Sequence, residues 1–448
     1  MLNGQRRGEA APVRGAHPID IAHRGEALAA DPRIHAGFSP ARETHASMTH
    51  ALDLPVEPAR RIVELADQCV KCGLCLPHCP SYRVRGEEGE SPRGRIAYAK
   101  ALATGMIGTE GAIAAHLDGC LACGACEIVC PSKVSYLPLV IASRARGART
   151  KAAARAARAL RTFARSRLVW RLLQRARGLG RLAPMLRRWP RAAAALASLR
   201  GLPEPHATPR SRRSIAASRG SVVLFRGCVA SAVDADTHEA AARVLATLGY
   251  EIVVPDLPHC CGALAAHAGA VVESAQDAAR ARDVLARTDA TIVVSSASGC
   301  ARHVREAAAA AGLSASDVLE LIARELDSGF KLRPVARRVA LLLPCTQRDA
   351  GGDVALRSLL ARIPALELHV LPLQPRCCGA AGTYFVEQPE VARALRDERL
   401  DQIAALAPDL VLTTNVGCRI HLQAGLRARG MSLAVAHPVT LIAEAMRP

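Results

Sequence analysis

The chain has 448 residues, half of them apolar, and its basic residues outnumber its acidic ones by 19. That length supports two to three globular units, and no apolar run approaches the ~20 residues of a membrane-spanning helix. The N-terminus has Arg6 and Arg7 but no apolar segment after them, so no Sec or Tat signal is expected, and the sixteen cysteines are expected to remain thiols in a reducing cytoplasm rather than pair as disulfides.

Residues 1–47 lack sustained periodicity and read as a flexible N-terminal extension, with Met48 as the expected initiator. Residues 48–140 hold two cysteine runs of identical spacing, Cys69-x-x-Cys72-x-x-Cys75-x-x-x-Cys79-Pro80 and Cys120-x-x-Cys123-x-x-Cys126-x-x-x-Cys130-Pro131, at an offset of 51. This is the spacing of bacterial two-cluster ferredoxins, in which the fourth cysteine of each run ligates the other cluster. It assigns Cys69, Cys72, Cys75 and Cys130 to one [4Fe–4S] cluster and Cys120, Cys123, Cys126 and Cys79 to a second. Structural zinc also takes four thiolates, but its sites pair Cys-x-x-Cys knuckles and need no third cysteine three residues on. Between the loops, Ser91-Pro92 offers an N-cap followed by proline at the first helical position, for a helix ending near Gly105.

Residues 141–220 form a basic helical connector. Within it, 144–213 hold 20 Lys or Arg and one acid, Glu204, while the rest of the chain balances 39 basic against 39 acidic residues. Arg155, Arg158, Arg161 and Arg165 recur at helical spacing, Leu160, Phe163, Trp170 and Leu173 fall largely elsewhere on the helix, and both tryptophans, Trp170 and Trp189, lie here. Docking to an anionic membrane surface or a partner is one reading, at about 1 kcal/mol per basic residue near a bilayer. Packing of the apolar stripe on the protein's own domains is another. Nucleic-acid binding is disfavoured by the scarcity of stacking aromatics.

Residues 221–330 and 338–448 alternate short Val/Ile/Leu strands with Ala-rich helices, the pattern of parallel α/β units. Strands are predicted at 221–225, 251–255, 291–296, 338–343, 367–372 and 410–414, and helices near 236–248, 272–287, 390–405 and 418–429. The remaining cysteines repeat across the two units: Cys228, Cys260, Cys261 and Cys300 are matched by Cys345, Cys377, Cys378 and Cys418 at offsets of 117, 117, 117 and 118. Each set sits on three loops leaving strand ends, where open α/β sheets bind ligands, so these thiols are candidate ligands of additional clusters. Gly262 and Gly379, closing the Cys-Cys-Gly triplets, fit a backbone that turns sharply or passes close to a metal cluster. The fold class is therefore α/β, with an N-terminal α-helical two-cluster ferredoxin module and two repeated parallel α/β Cys-Cys-Gly units.

No Gly-x-Gly-x-x-Gly opens a strand–helix unit, and no phosphate loop or nucleophile elbow is present, so neither flavin nor NAD is expected on this chain. No catalytic residue is assigned. His78, His259, His267 and His421 lie near the cysteine motifs as ligand or proton-donor candidates, although histidines so placed more often support ligands than act as them. Clusters exchange single electrons and accept no hydride, which points to a separate flavin-bearing chain.

The segments CVKCGLCLPHCPSYRVRGEEGESPRGRIAYAKALATG, HLDGCLACGACEIVCPSKVSY, CCGALAAHAG and RCCGAAGTYFVEQPEVARALRDERL resemble the iron–sulfur subunit family of bacterial glycolate oxidase. The wider superfamily includes heterodisulfide reductase subunits and the iron–sulfur subunits of D-lactate and anaerobic glycerol-3-phosphate dehydrogenases. The resemblance implies an electron-transfer subunit of a flavin-dependent 2-hydroxy-acid dehydrogenase complex acting on glycolate or D-lactate. It implies FAD-binding partner chains, a quinone or other respiratory acceptor, and a peripheral position on the inner face of the cytoplasmic membrane. The isolated chain is not expected to oxidise substrate. An alternative is a disulfide or quinone reductase acting at the Cys-Cys-Gly units. The superfamily pattern ends in Cys-x-x-Cys, and here Ala297 precedes Cys300 and Asn415 precedes Cys418 in place of the first cysteine, leaving four thiols where a noncubane cluster uses five.

Overall fold

In the computed structural model the described residues are 58–108, 111–146, 155, 158–159, 161–163, 166–186, 188–204, 218–255, 260–326, 330–372 and 377–446. The extension 1–47, the start at Met48, Leu160, Arg165, His259 and the stretch 210–213 lie outside them.

The N-terminal module is built from α1 (Pro58–Asp67), α2 (Pro80–Arg85), α3 (Pro92–Ala103), α4 (Ala112–Asp118), α5 (Ala125–Ile128) and α6 (Tyr136–Ala145). Ile62, Leu65, Ile96, Ala99, Leu139 and Val140 from α1, α3 and α6 form its core, with Cys69, Cys126 and Cys130 packed against it. Ser91 caps α3 as its sequence implies, its hydroxyl accepting from Gly94 N at 3.0 Å, and the helix ends at Ala103. One turn in, Arg95 is fully buried and pairs with the buried carboxylate of Glu90. Its guanidinium also donates to His116 O at 2.6 Å and Ser81 Oγ at 2.9 Å, and reaches Cys79 Sγ at 3.9 Å.

Two four-stranded parallel sheets follow. The first contains β1 (Ser221–Phe225), β2 (Glu251–Val253), β3 (Ile292–Ser295) and β4 (Ser314–Asp317), in the order β2-β1-β3-β4. The second repeats that order with β5 (Arg337–Leu341), β6 (Leu366–Val370), β7 (Leu410–Leu412) and β8 (Ala434–Ala436), as β6-β5-β7-β8. In each, the strand order reverses beside the central first strand, so the carboxyl ends of β1 and β3, and of β5 and β7, flank a switch point.

Two strands and several helices go beyond the sequence expectation. β4 reads Ser-Ala-Ser-Asp and β8 is three residues long, so neither carries an apolar run; both are edge strands recruited by pairing with β3 and β7. Of the helices, α10 (Ala235–Thr247), α12 (Val271–Leu285), α17 (Pro389–Leu406) and α18 (Val416–Ala428) fall where periodicity puts them. The others are α9 (Ala230–Val233), α11 (Ala263–His267), α13 (Ala301–Ala310), α14 (Val318–Glu325), α15 (Val354–Ala361), α16 (Tyr384–Glu387) and α19 (Pro438–Ala445). One core joins the sheets: Leu224 and Val294 share it with Leu341 and Leu412, through residues of α10, α14, α15 and α19.

The connector contributes α7 (Arg167–Arg175), a 3₁₀ helix (Ala176–Leu186), α8 (Pro190–Ser198) and a short 3₁₀ turn (Leu199–Gly201). It is fastened to the second sheet unit at Gly201, whose absent side chain lets Ile420 O approach where a Cβ would stand 2.0 Å away.

Two histidines are buried on α10 and beside α19, the helices that share this core. His238 on α10 is fully buried with both ring nitrogens unpartnered among the described residues, and the buried His437 Nδ1 accepts from Val439 N at 3.1 Å to cap α19. Burial holds both imidazoles neutral, each pKa lowered to about 4.

Two stability measurements follow from these buried groups. Arg95→Met removes the buried cation from Glu90, leaving it with His116 at 3.0 Å, and should cost about 3–5 kcal/mol in anaerobic urea unfolding. For the histidines, the unfolded chain takes up protons below about pH 6.5 while the folded one resists until about 4, so stability present above pH 6.5 is lost as the pH falls through that window. His238→Leu should flatten the loss by roughly 3 kcal/mol, and an unchanged slope of unfolding free energy against pH would refute it.

Candidate metal centres

The two cysteine loops of the N-terminal module have the same backbone. Lys71 and Gly73 have φ of 58° and 83°, and their counterparts 51 residues on, Ala122 and Gly124, have 48° and 68°. These left-handed residues fold each loop back on itself and turn thiols and amides inward, as in the 3.3 Å contact from Ala122 N to Cys120 Sγ.

The loops border two partly open cavities. One is lined by Cys69, Cys72 and Cys75 together with Cys130 and Cys126 of the other run. The second is lined by Cys120, Cys123 and Cys126 together with Cys79 of the first run. The fourth cysteine of each run thus reaches the cavity of the other. Cys126, Pro92 and Tyr136 line both.

The two cavities differ in depth. Cys72 is exposed at the rim of the first, whereas Cys79 and Cys120 in the second are buried. Burial pushes the Cys75 thiol up to about 11, and burial with neighbouring thiols raises Cys123 and Cys126. Such thiols ionise only against a compensating cation. Around the inner cavity, Tyr136 OH donates toward Cys120 Sγ at 3.7 Å, and Ser81 Oγ lies 3.4 Å from Cys79 Sγ.

Among the described residues, no three Cys, His, Asp or Glu side chains converge tightly enough for a single metal ion. Thiols that ring a cavity instead fit a group that brings its own bridging sulfide, so the donor set suits an iron–sulfur cluster rather than zinc.

In the first sheet unit Cys228, Cys260, Cys261 and Cys300 come from the ends of β1, β2 and β3 and form one run of contacts, Cys228 to Cys260 to Cys261 to Cys300. Cys260 is the acceptor among them: hydrogen bonds from Cys228, Cys261 and the Gly262 amide hold its pKa far below the usual thiol range. In the second unit the free thiols of Cys345 and Cys377 are hydrogen-bonded to each other, while Cys378 and Cys418 form a disulfide across 40 residues. This corrects the expectation of uniformly free thiols: α18 presents Cys418 directly to the Cys378 loop, with Cα atoms 6.0 Å apart.

Gly262 and Gly379 need their glycines for a reason the sequence only half gives. Both have positive φ, +86° and +85°, and a Cβ would stand 2.7 Å from Ser274 O and 2.4 Å from Ala392 O respectively. The close neighbour is a helix backbone.

The departures at the fifth position are built into the join between the units. Asn415 Oδ1 caps α18 by accepting from Gly417 N at 2.9 Å, and its Nδ2 donates to Thr346 Oγ1 at 3.1 Å. Thr346 Oγ1 lies 2.7 Å from Ser298 Oγ, whose amide donates to Thr414 O at 3.1 Å. Ala297 is buried beside them.

Both sheet units clasp the inner cysteine loop. Arg348 donates to Gly124 O at 3.4 Å, Tyr384 OH to Gly119 O at 3.1 Å, and His267 Nε2 lies 3.1 Å from Leu121 O. Cys123 is close enough to Cys345 and Cys377 for their charges to interact. Sequence reasoning missed Arg95, Tyr136, Arg348 and Tyr384 because no local spacing flags them; Tyr384 contacts a residue 265 positions away. Of the histidines, His267 supports the loop backbone, His421 is buried with Nε2 3.1 Å from Ala392 O, and His78 is half-buried.

The connector residues divide. Arg155, Arg158 and Trp189 are exposed, but Arg161 is buried and salt-bridged to Glu273 at 2.9 Å, and Trp170 packs with Leu202, Val233 and Ile420. Arg161 and Trp170 therefore face the protein's own body and are not available to a membrane, because the helix lies against the first sheet unit and the small core beneath α18.

Comparison with known proteins agrees with this arrangement. Residues 65–134 match the family of the 4Fe-4S dicluster domain, and residues 222–305 and 339–423 each match the Cysteine-rich domain. The chain is similar to the glycolate oxidase iron-sulfur subunit of Escherichia coli (strain K12), 30% identical over 84% of this chain and 93% of that protein. The probable glycolate oxidase iron-sulfur subunit of Bacillus subtilis (strain 168) is 29% identical with the same coverage. Lactate utilization protein A of Bacillus cytotoxicus is 27% identical over 48% of this chain and 95% of its own. With the dicluster module, both cysteine-rich units and nearly the whole length of these relatives accounted for, the chain belongs to the glycolate oxidase iron–sulfur subunit family of oxidoreductases.

Proposed function

We propose that this chain relays electrons within a 2-hydroxy-acid dehydrogenase complex, from FAD-binding partner chains that oxidise glycolate or D-lactate to a quinone or other respiratory acceptor. Cys69, Cys72, Cys75 and Cys130 hold one [4Fe–4S] cluster, and Cys120, Cys123, Cys126 and Cys79 hold the other. The observation that carries this is the exchange of fourth cysteines between the two cavities. Such clusters supply one-electron transfer, and the chain's own residues set where it occurs.

The thiol sites form a sequence in space. Exposed Cys72 opens the first cavity to a partner, Cys126 borders both cavities, and Cys123 of the inner one neighbours Cys345 and Cys377. Further clusters at the Cys-Cys-Gly units extend the relay; in the second unit that requires Cys378 and Cys418 to be reduced. Arg95, Tyr136 and the loop amides direct positive dipoles at the inner thiols, which favours the reduced, more negative state. No helix among the described residues is long and apolar enough to span a membrane, and the cationic connector supports a peripheral place on the inner face of the cytoplasmic membrane. The runner-up, a disulfide or quinone reductase, draws on the Cys378–Cys418 disulfide; it requires thiol-dependent disulfide turnover by the isolated chain.

In anaerobic iron analysis with EPR, the reduced protein should show two magnetically interacting clusters. Cys75→Ser and Cys130→Ser should remove the same one, and Cys79→Ser the other; tightly bound zinc with no paramagnetic species would refute the ligand sets. The purified chain alone should not reduce dye with glycolate or D-lactate, and adding the flavin chains should restore the activity. Turnover by the flavin-free single chain would overturn the relay.

A further inference from the structure

The connector carries an apolar stripe rimmed by cations and turned away from the protein. Leu168, Leu172, Leu179, Leu182, Met185 and Trp189 are all large, apolar and exposed. Local geometry sorts them from their neighbours. In α7, Trp170 and Leu173 turn inward onto Leu202, Val233 and Ile420, while Leu168 and Leu172, one turn apart, face out. In the 3₁₀ helix that follows, residues three apart eclipse one another and make straight ridges. Gly180 and Ala183 form the buried ridge, and Leu179, Leu182 and Met185 form an outward one at 51, 48 and 79% exposure. Trp189 continues it at 64%. Around the stripe, exposed Arg171, Arg175, Arg181 and Arg188 have no acidic partner among the described residues.

We infer that this stripe seats the protein on an anionic lipid surface, with Leu179, Leu182, Met185 and Trp189 entering the headgroup boundary and the arginines meeting lipid phosphates. The inference rests on the peripheral placement proposed above and names the surface that achieves it. Charge decides for lipid over a protein partner. A protein partner would have to answer each of the four arginines with an acid fixed in register. A bilayer supplies mobile negative headgroups wherever a guanidinium falls, and basic faces set against Leu and Trp are the makeup of helices that lie in that interface. The buried ridge against Leu196 O and Arg200 keeps the stripe superficial, since the 3₁₀ helix stays attached to the protein.

The test uses the full-length chain, purified anaerobically with its clusters, co-sedimented with vesicles of phosphatidylcholine alone or containing phosphatidylglycerol. The native chain should partition onto the anionic vesicles, and salt should remove part of that binding. Leu182→Asp with Met185→Asp should weaken it roughly tenfold or more. Both side chains are exposed, and melting and the visible spectrum of the variant check that fold and clusters persist. If the native chain ignores anionic vesicles, the peripheral placement fails and this surface with it. If the native chain binds and the variant binds equally, the placement stands and the stripe is refuted. Loss of flavin-chain co-purification with vesicle binding unchanged would also refute it, by making the stripe a protein interface.

Discussion

The backbone of the second cysteine loop must be buried and yet have its carbonyls bonded, and this requirement ties the described chain together. Buried main-chain oxygens without partners are costly, and this loop's partners come from the N-terminal module and both sheet units. Arg144 of α6 bonds Cys120 O, Tyr384 of α16 bonds Gly119 O, and His267 of α11 reaches Leu121 O. Arg348 of the second unit meets Gly124 O, and Arg95 of α3 bonds His116 O just upstream. Each donor is charged or large, so the loop is held without filling the thiol-lined space beside it.

The same economy explains the repeated units. Duplication places two sets of thiols at equivalent strand ends, but the copies meet face to face and their equivalent residues diverge at the join. Asn415 is consumed by capping α18 and by Thr346, and Ala297 is buried where its loop crosses Thr414. A thiol at either place would have to serve both the join and the site. The result is four cysteines per unit, a set that suffices for an ordinary cluster when all four are reduced. The units also differ in their surroundings: Asp277 lies beside Cys260 in the first, whereas Cys345 and Cys377 of the second lie beside Cys123. The second unit is thus the nearer electrical neighbour of the inner loop.

The connector shows how one basic segment serves two surfaces. Its inward residues, among them Arg161, Trp170, Leu173 and Gly180, complete small cores and ion pairs with the sheet units. Its outward residues keep their charge and apolar area free. The switch from α-helix to 3₁₀ helix at Ala176 makes the division clean, since a three-residue period segregates Gly180 and Ala183 from Leu179 and Leu182 better than a period of 3.6.

The sequence by itself determined the cysteine chemistry, because ligand spacing within a loop is a local property: a repeat at 51 and another at 117 are visible without any fold. It determined the parallel α/β character and the α3 cap at Ser91 for the same reason, since apolar runs and caps act over a few residues. It did not reveal β4, which is polar, or β8, which is only three residues long; both exist because β3 and β7 offer a free edge. Which thiols pair, which arginines of the connector are buried, and which side chains line the inner loop were decided by tertiary structure. Those contacts join residues up to 265 positions apart, and desolvation of a charge such as Arg161 is offset only when Glu273, 112 positions on, arrives.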